Sequence, residues 1–238
     1  MIGLGTIINT VAIIIGGILG MLLKSALSER IQDTVLKATG VCVLFLGLGG
    51  AIAEMLTFAD GVFSTQGSLM LIVSCVLGAF VGEIINIEGA IERFGAWLRK
   101  ITKSEGDGGF LDAFLTSSFT VCIGAMAVVG SIQDGIMGDY TMLTAKAILD
   151  FIIIMVMASS MGKGCVFSAV PVFLFQGSIT LLARFIEPIM TPQATSNLSF
   201  VGSVLIFCVG LNLVWGKKIK VANLLPAIVF AVACAFIM

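Results

Sequence analysis

Apolar residues gather in eight long runs, and this pattern constrains the fold more than any other feature of the sequence. Because a bilayer core is about 30 Å thick and a helix rises about 1.5 Å per residue, a run of about 20 apolar residues can cross a membrane. The mean hydropathy of +1.14 is far higher than that of a protein whose surface faces water. We therefore predict an all-α, polytopic transmembrane bundle with about eight spans, at 2–23, 36–57, 67–87, 109–130, 142–161, 164–186, 198–216 and 220–238.

Basic residues flank alternate connections between these spans. They accompany the first, third, fifth and seventh connections: Lys24, Arg30, Lys37, Arg93, Arg99, Lys100, Lys103, Lys163, Lys217, Lys218 and Lys220. Lys and Arg residues concentrate in cytoplasmic loops. We expect a multi-pass protein of the bacterial inner membrane, with both termini outside.

The chain reads as a single membrane domain, 1–238, with two candidate halves. An amphipathic segment at 87–101 is predicted to lie at the membrane interface. A polar, glycine-rich linker at 104–108 then separates 1–103 from 109–238. Residues 41–49 and 204–212 resemble each other in spans that run in opposite directions, which raises the prospect of inverted repeats, although short apolar stretches also match by chance.

Composition argues against several classes of function. The formal net charge of −1 gives no basic field for nucleic acid. Histidine is absent, and the six cysteines lie inside apolar runs with no C-x-x-C spacing, so we predict no metal site and no cofactor. An enzyme is not expected, since a serine hydrolase elbow with its histidine and a second deep carboxylate are both missing.

Asp150 is the most informative residue, because it lies near the middle of the fifth span. An ionised carboxylate there costs about 3 kcal/mol on insertion scales. Lys146 lies one helical turn earlier and can pair with it. The pair is either a structural element of helix packing or part of a site for a proton, ion or substrate near the midplane, which is the interpretation we favour.

Further polar residues and one proline lie at membrane depth. Ser160 precedes the tight turn between the fifth and sixth spans, and Ser168, Pro171 and Gln176 follow it. Proline can leave backbone carbonyls free to bind a cation, although an ordinary kink explains it as well.

Two more groups complete the candidate pathway. Thr116 and Thr120 form a small polar seam in the fourth span, and Asn9 lies in the first span. Helix packing explains such seams as well as a pore lining does. An outer loop at 130–140 carries three further candidates for a cation site or gate: Gln133, Asp134 and Asp139.

Glycines recur at a spacing of four residues in two spans. Gly16 with Gly20, and Gly78 with Gly82, are typical of close helix packing. Such faces can also bring two copies of the chain together, so a homo-oligomer is a predicted partner besides the lipid bilayer.

Several of these residues fall in stretches that carry a family resemblance. The stretches are Gly3–Thr10, Gly130–Gly135, Lys146–Asp150, Ser168–Val172, Gln176–Thr180 and Asn212 with Lys217–Lys220. Together they resemble the domain-of-unknown-function 554 family of bacterial inner-membrane proteins. The resemblance implies a multi-span membrane fold, and it implies no substrate, cofactor or catalytic residue.

The sequence favours a transporter or channel for an ion or small solute, with a polar site around Asp150. The alternative is a structural or partner-binding membrane protein without transport activity. A membrane-embedded enzyme is the least favoured hypothesis.

Overall fold

The chain forms a helical bundle, as predicted. The computed structural model describes residues 2–26, 28–59, 61–101, 109–122 and 125–237. Within these ranges the helices are α1 (Leu4–Ala26), α2 (Glu29–Met55), α3 (Ser68–Ile85), α4 (Ile87–Ile101), α5 (Phe110–Cys122), α6 (Ala125–Met137), α7 (Thr141–Met161), α8 (Ala169–Leu181), α9 (Ala183–Ile186), α10 (Pro192–Trp215), α11 (Val221–Leu224) and α12 (Pro226–Cys234). Two 3-10 segments, Lys163–Ser168 and Glu187–Ile189, accompany them.

The polytopic membrane architecture is confirmed, whereas the count of eight spans is approximate. Within the described ranges, 6 helices are long and apolar enough to cross a membrane, or up to 7 if the bent pair α5 and α6 counts as one span. The axes of α5 and α6 differ by 61°. The predicted fourth span is therefore not one straight helix.

Two predicted spans differ from the structure. The fourth, 109–130, is divided between α5 and α6, and its second half extends to Met137. The eighth, 220–238, consists of the short helices α11 and α12. Pro226 stands at the first position of α12, where its missing N–H is tolerated, and Leu225 before it keeps a helical conformation, so α11 and α12 follow each other directly.

A short β-hairpin joins α2 to α3. It consists of β1 (Leu56–Ala59) and β2 (Val62–Thr65), which pair antiparallel. Gly61 adopts a φ of 78°, the left-handed conformation that a two-residue hairpin turn requires. The amphipathic helix predicted at 87–101 has the bounds of α4. The predicted linker at 104–108 lies outside the described residues, so the division into halves stays a prediction.

Glycines allow the long helices to pack closely within one chain. A Cβ atom on Gly16 of α1 would lie only 2.6 Å from the carbonyl oxygen of Phe151 on α7. Gly78 and Gly82 of α3 face α12 and α11 in the same manner, against Ala227 and Asn223. The glycine faces suggested for a homo-oligomer are thus occupied by helices of the same chain.

The segments that resemble each other in sequence also meet in space. Helices α2 and α10 are antiparallel, and Gly47 of α2 packs on Phe207 while Gly210 of α10 packs on Leu44. Because Gly47 and Gly210 correspond in the two segments, a two-fold axis between the helices would generate both contacts. This packing agrees with an inverted repeat, which stays a prediction.

The surface of the bundle suits lipid rather than water. Exposed large apolar side chains cover the outer faces of the long helices, among them Ile18 on α1, Phe45 on α2 and Phe80 on α3. Four lysines lie at helix ends on one side of the bundle, which we call the basic end: Lys24, Lys37, Lys217 and Lys220. Hydrocarbon contact in the middle and charge at the ends are typical of a membrane protein.

Candidate functional site

A buried ion pair lies within α7. Asp150 and Lys146 are one helical turn apart and only 3% and 7% exposed. The Lys146 Nζ donates a hydrogen bond to Asp150 Oδ2, as the spacing predicts. Removing one member of such a pair leaves an uncompensated charge, at a cost of about 3–5 kcal/mol.

The same ammonium group also binds the end of a broken helix. Lys146 Nζ donates to the carbonyl oxygen of Val121 at 2.7 Å. Val121 is the last residue but one of α5, where carbonyl groups have no intrahelical partner. The C-terminal end of a helix carries a partial negative charge, so it stabilises a cation. The break between α5 and α6 therefore supplies an oxygen ligand that a continuous helix could not.

Helix α1 contributes the fourth member of this arrangement. Asn9 is fully buried, and its Nδ2 donates to Asp150 Oδ2 at 3.0 Å. The close approach of α1 to α7, permitted by Gly16 and Gly20, brings the short amide within reach. We call Asn9, Lys146, Asp150 and the Val121 carbonyl the charged centre.

Unpaired polar atoms lie on the two helices α1 and α8. Within the described ranges, Thr6 Oγ1, Asn9 Oδ1, Thr180 Oγ1 and both polar atoms of the Gln176 amide are buried without a hydrogen-bond partner. The helices touch where the Thr6 methyl group lies 4.0 Å from the position of a Cβ atom on Gly177. Each unsatisfied group costs about 1–3 kcal/mol. Water or a ligand normally satisfies groups of this kind.

The three residues predicted for an outer loop have separate positions. Gln133 and Asp134 lie in α6, which continues through the predicted loop, and only Asp139 lies in the turn before α7. Asp134 is fully buried and accepts hydrogen bonds from the backbone N–H groups of Gly3 and Gly5, at 3.2 and 3.1 Å. Asp134 therefore caps α1.

Asp139 serves the start of α7. Its Oδ1 accepts a hydrogen bond from the Thr141 backbone N–H at 2.9 Å, and hydrogen bonds from the Thr141 side chain and backbone lower the pKa of this carboxyl. Gln133 is half-buried. Among the residues that the structure describes, no group of three His, Cys, Asp or Glu side chains could hold a metal ion.

The predicted hydroxyl residues mostly bond to their own helices. Ser168 Oγ donates to the Cys165 carbonyl at 2.7 Å, and Thr120 Oγ1 donates to the Thr116 carbonyl at 2.7 Å. Ser160 Oγ has a weak contact of 3.5 Å with Val156 O. These hydroxyls stabilise local turns and are not joined to the charged centre.

Two cavities adjoin α5. Pro171 lines an apolar cavity of about 260 Å³, together with Ser118, Cys122 and Phe175. Thr116 lines a second cavity of about 220 Å³ at the basic end. Pro171 and Thr116, both candidates for the pathway, thus line different cavities.

Four of the sequence candidates, Lys146, Asp150, Asn9 and Gln176, lie at buried positions, and their role in a pathway stays a prediction. Sequence reasoning missed the contributions of Val121 and Thr6. The Val121 contribution comes from its backbone, so no side chain could signal it. Thr6 precedes Asn9 by three residues on one helix face, and that spacing was a usable signal.

These features define a polytopic membrane protein with a buried ion pair at the end of a broken helix. The family follows from comparison with known sequences. A family model described as "Protein of unknown function (DUF554)" matches residues 4–236, and the chain belongs to this family, as the resemblance predicted.

Two relatives match over almost their full length. "Uncharacterized membrane protein YdfK" of Bacillus subtilis (strain 168) is 33% identical over 233 residues, which cover 98% of this chain and 96% of the relative. "Uncharacterized protein YqgA" of Escherichia coli (strain K12) is 28% identical over 232 residues, which cover 96% and 94%. No solved structure matches the chain.

Proposed function

We propose that this protein is a transporter or channel for an ion or small solute, and that the charged centre is its site within the membrane. The observation that carries the proposal is the position of the Asp150 and Lys146 pair. It lies inside the bundle, against the free carbonyl end of a broken helix. Placing ionisable groups at such depth costs free energy, and such groups commonly mark ion or substrate pathways.

The oxygen atoms around Lys146 Nζ suit exchange with a small cation. The Asp150 carboxylate and the Val121 carbonyl both accept from the ammonium group. Half-helix carbonyls and carboxylates are also the groups with which transporters bind Na⁺. A cation or proton arriving at Asp150 would displace the ammonium group. Proton or sodium coupling at Asp150 is therefore the specific form of the proposal.

The unpaired polar atoms on α1 and α8 support a hydrated pathway beside this centre. Asn9 connects the two, because its Nδ2 is bound to Asp150 while its Oδ1 has no partner within the described chain. A permeating ion or solute would exchange water for these oxygen atoms. Burying these atoms without a partner costs free energy in the unliganded protein. A ligand that pairs with them offsets that cost.

We further propose an inner-membrane protein whose basic end faces the cytoplasm and whose termini lie outside. The positive-inside rule and the gathering of lysines at one end support this orientation. The proposal requires no cofactor and no catalysis. Lipid is the expected environment, and self-association would have to use faces other than the occupied glycines.

Ion flux in proteoliposomes tests the proposal. Wild type and Asp150→Asn are reconstituted and exposed to gradients of H⁺, Na⁺, K⁺ or a small anion. Asp33→Asn is the matched control, because Asp33 is an exposed carboxylate that also pairs with a lysine four residues away.

The expected result is flux of at least one ion in wild type and in Asp33→Asn, with loss of flux in Asp150→Asn. Circular dichroism and gel filtration establish that each protein is folded. Equal flux in all three proteins would exclude Asp150 as a transport residue. Absence of flux in folded wild type would favour the structural or partner-binding alternative.

A further inference from the structure

The cavity at the basic end has the lining of a binding site. It measures about 220 Å³ and lies among α4, α5, α10 and the connection that follows α10. Three ionisable side chains line it within the described chain: Glu88, Asp112 and Lys217. Two carboxylates and one ammonium group leave a formal charge of −1.

Glu88 is the unusual member of this lining. It is only 4% exposed, and its Oε1 lies 2.8 Å from Lys217 Nζ. Its Oε2 is buried and has no hydrogen-bond partner in the part of the chain that the structure describes. The backbone N–H of Glu88 is held by Asn223 Oδ1 at 2.8 Å, so the residue has a fixed position. A buried carboxylate oxygen of this kind is costly unless a donor or cation satisfies it.

Lys217 contacts only one oxygen of the Glu88 carboxylate. Its Nζ also lies 2.7 Å from Glu92 Oε1. Partial burial tends to lower the pKa of Lys217, but the bonds to Glu88 and Glu92 outweigh it and raise the pKa above its usual value. Lys217 is therefore protonated and shared between two carboxylates. The buried Oε2 of Glu88 is left as an acceptor without a donor in the described part of the chain.

The position of Lys217 is fixed by the backbone around it. Asn212 Oδ1 accepts from the backbone N–H groups of Lys218 and Ile219, at 2.9 and 3.0 Å, and its Nδ2 donates to Ile219 O. The amide of Asn212 thus folds the connection after α10 over the cavity. The cavity has a defined wall on this side.

The rest of the lining is mostly apolar. Leu115, Phe119, Met161 and Leu213 contribute to it, with Thr116 as a hydroxyl neighbour of the acids. A cavity of about 150 Å³ holds benzene, so about 220 Å³ holds about nine non-hydrogen atoms. A bare metal ion would leave these apolar walls unused, and an anion would be repelled by the net charge.

We propose that this cavity binds a monovalent organic cation of about nine non-hydrogen atoms. Its ammonium group pairs with the Glu88 carboxylate and lies near Asp112, and its apolar part packs against Phe119 and Leu213. The site is separate from the charged centre, and its occupancy is independent of whether Asp150 supports transport.

Isothermal titration of the purified protein in an uncharged maltoside detergent tests the proposal. Phenethylamine, with nine non-hydrogen atoms, is the probe, and phenethyl alcohol is the neutral analogue of equal size. The amine should bind about tenfold or more tightly than the alcohol, because only the amine pairs with Glu88. Glu88→Gln should remove that preference, and Asp33→Asn should retain it.

A second variant guards against misfolding of Glu88→Gln. Asp112 is exposed in the first turn of α5, so Asp112→Asn should fold and should weaken amine binding severalfold. Equal binding of the amine and the alcohol, or amine binding unchanged in both variants, would overturn the proposal, as would a wild type that binds neither. Asp150→Asn should bind the amine like wild type, which separates this outcome from that of the flux experiment.

Discussion

Two pairs of long helices pack closely through glycines, but the polar groups at the two contacts differ. Helix α1 meets α7 through Gly16 and Gly20, and α2 meets α10 through Gly47 and Gly210. The first pair carries the charged centre. The second pair has no charged side chain between Gly40 and Gly50, where its glycine contacts lie, and Glu54, which accepts a hydrogen bond from Ser196 of α10, lies beyond that stretch.

The difference shows that close packing in this bundle needs no charge. Glycine and apolar side chains are sufficient to bring α2 and α10 together, as is general for membrane helices. The charged pair of α7, at its contact with α1, therefore adds a cost that packing does not demand. This contrast favours a functional interpretation of the charged centre.

The largest expected effect is the difference in stability between variants that lack one charge of the Lys146 and Asp150 pair and the variant that lacks both. Asp150→Asn or Lys146→Met alone should destabilise the protein by about 3–5 kcal/mol, because the remaining member is buried alone. The double variant Lys146→Met with Asp150→Asn should regain most of that loss. Reversible unfolding in mixed detergent micelles measures all three. A double variant as unstable as the single ones would mean that packing does require the ion pair.

At the contact between α2 and α10, two neighbouring glycines of α2 can be compared. A Cβ atom on Gly47 would collide with the backbone of Phe207, whereas one on Gly49 would meet no heavy atom within 4 Å. Gly47→Ala should cost about 1–3 kcal/mol. Gly49→Ala should stabilise α2 by up to about 1 kcal/mol through helix propensity. Equal unfolding free energies for the two variants would show that α2 and α10 are not tightly packed.

Replacing Gln176 should change the free energy of unfolding less, and should not lower it. Its amide is buried without a partner in the described chain, so Gln176→Met should leave stability unchanged or raise it by about 1 kcal/mol. The same change should reduce ion flux, because it removes oxygen from the pathway. Thermal unfolding and proteoliposome flux provide the two readings. A clear loss of stability would assign Gln176 a structural hydrogen bond instead.

The smallest effect concerns the acid dependence of stability. Hydrogen bonds from Thr141 lower the pKa of Asp139 in the folded state. The stability that Asp139 contributes is thus present above the pKa of the unfolded chain and is lost as the pH falls through the folded value. Asp139→Asn should flatten this acid limb below about pH 4. Unfolding followed between pH 3 and pH 7 checks it, and an unchanged slope would contradict it.

Periodicity and length were sufficient to predict the helical membrane bundle, and the spacing of Lys146 and Asp150 allowed the pair that the structure forms. Charge spacing along one helix is local information, and α7 follows it. The break in the fourth span was not predictable in the same manner, because residues 121–125 are apolar and small like the rest of the bundle. The Val121 carbonyl enters the site only through that break.

At the predicted outer loop, the sequence indicated a turn where the structure has a helix. Its glycines and acids suggested a turn at 130–140, but α6 continues to Met137. Tertiary contact decides the matter, since Asp134 caps α1 and Gly135 packs against Thr180 on α8. Propensity is a weak guide wherever such contacts compete with it.

The most direct test of the charged centre is ion flux through the double variant Lys146→Met with Asp150→Asn. This protein keeps its buried volume and has no unpaired charge, so loss of flux cannot be attributed to an isolated buried ion. We expect it to fold like wild type in gel filtration and circular dichroism, and to carry none of the ions that wild type carries. Wild-type flux in the folded double variant would contradict the assignment of transport to Asp150 and Lys146.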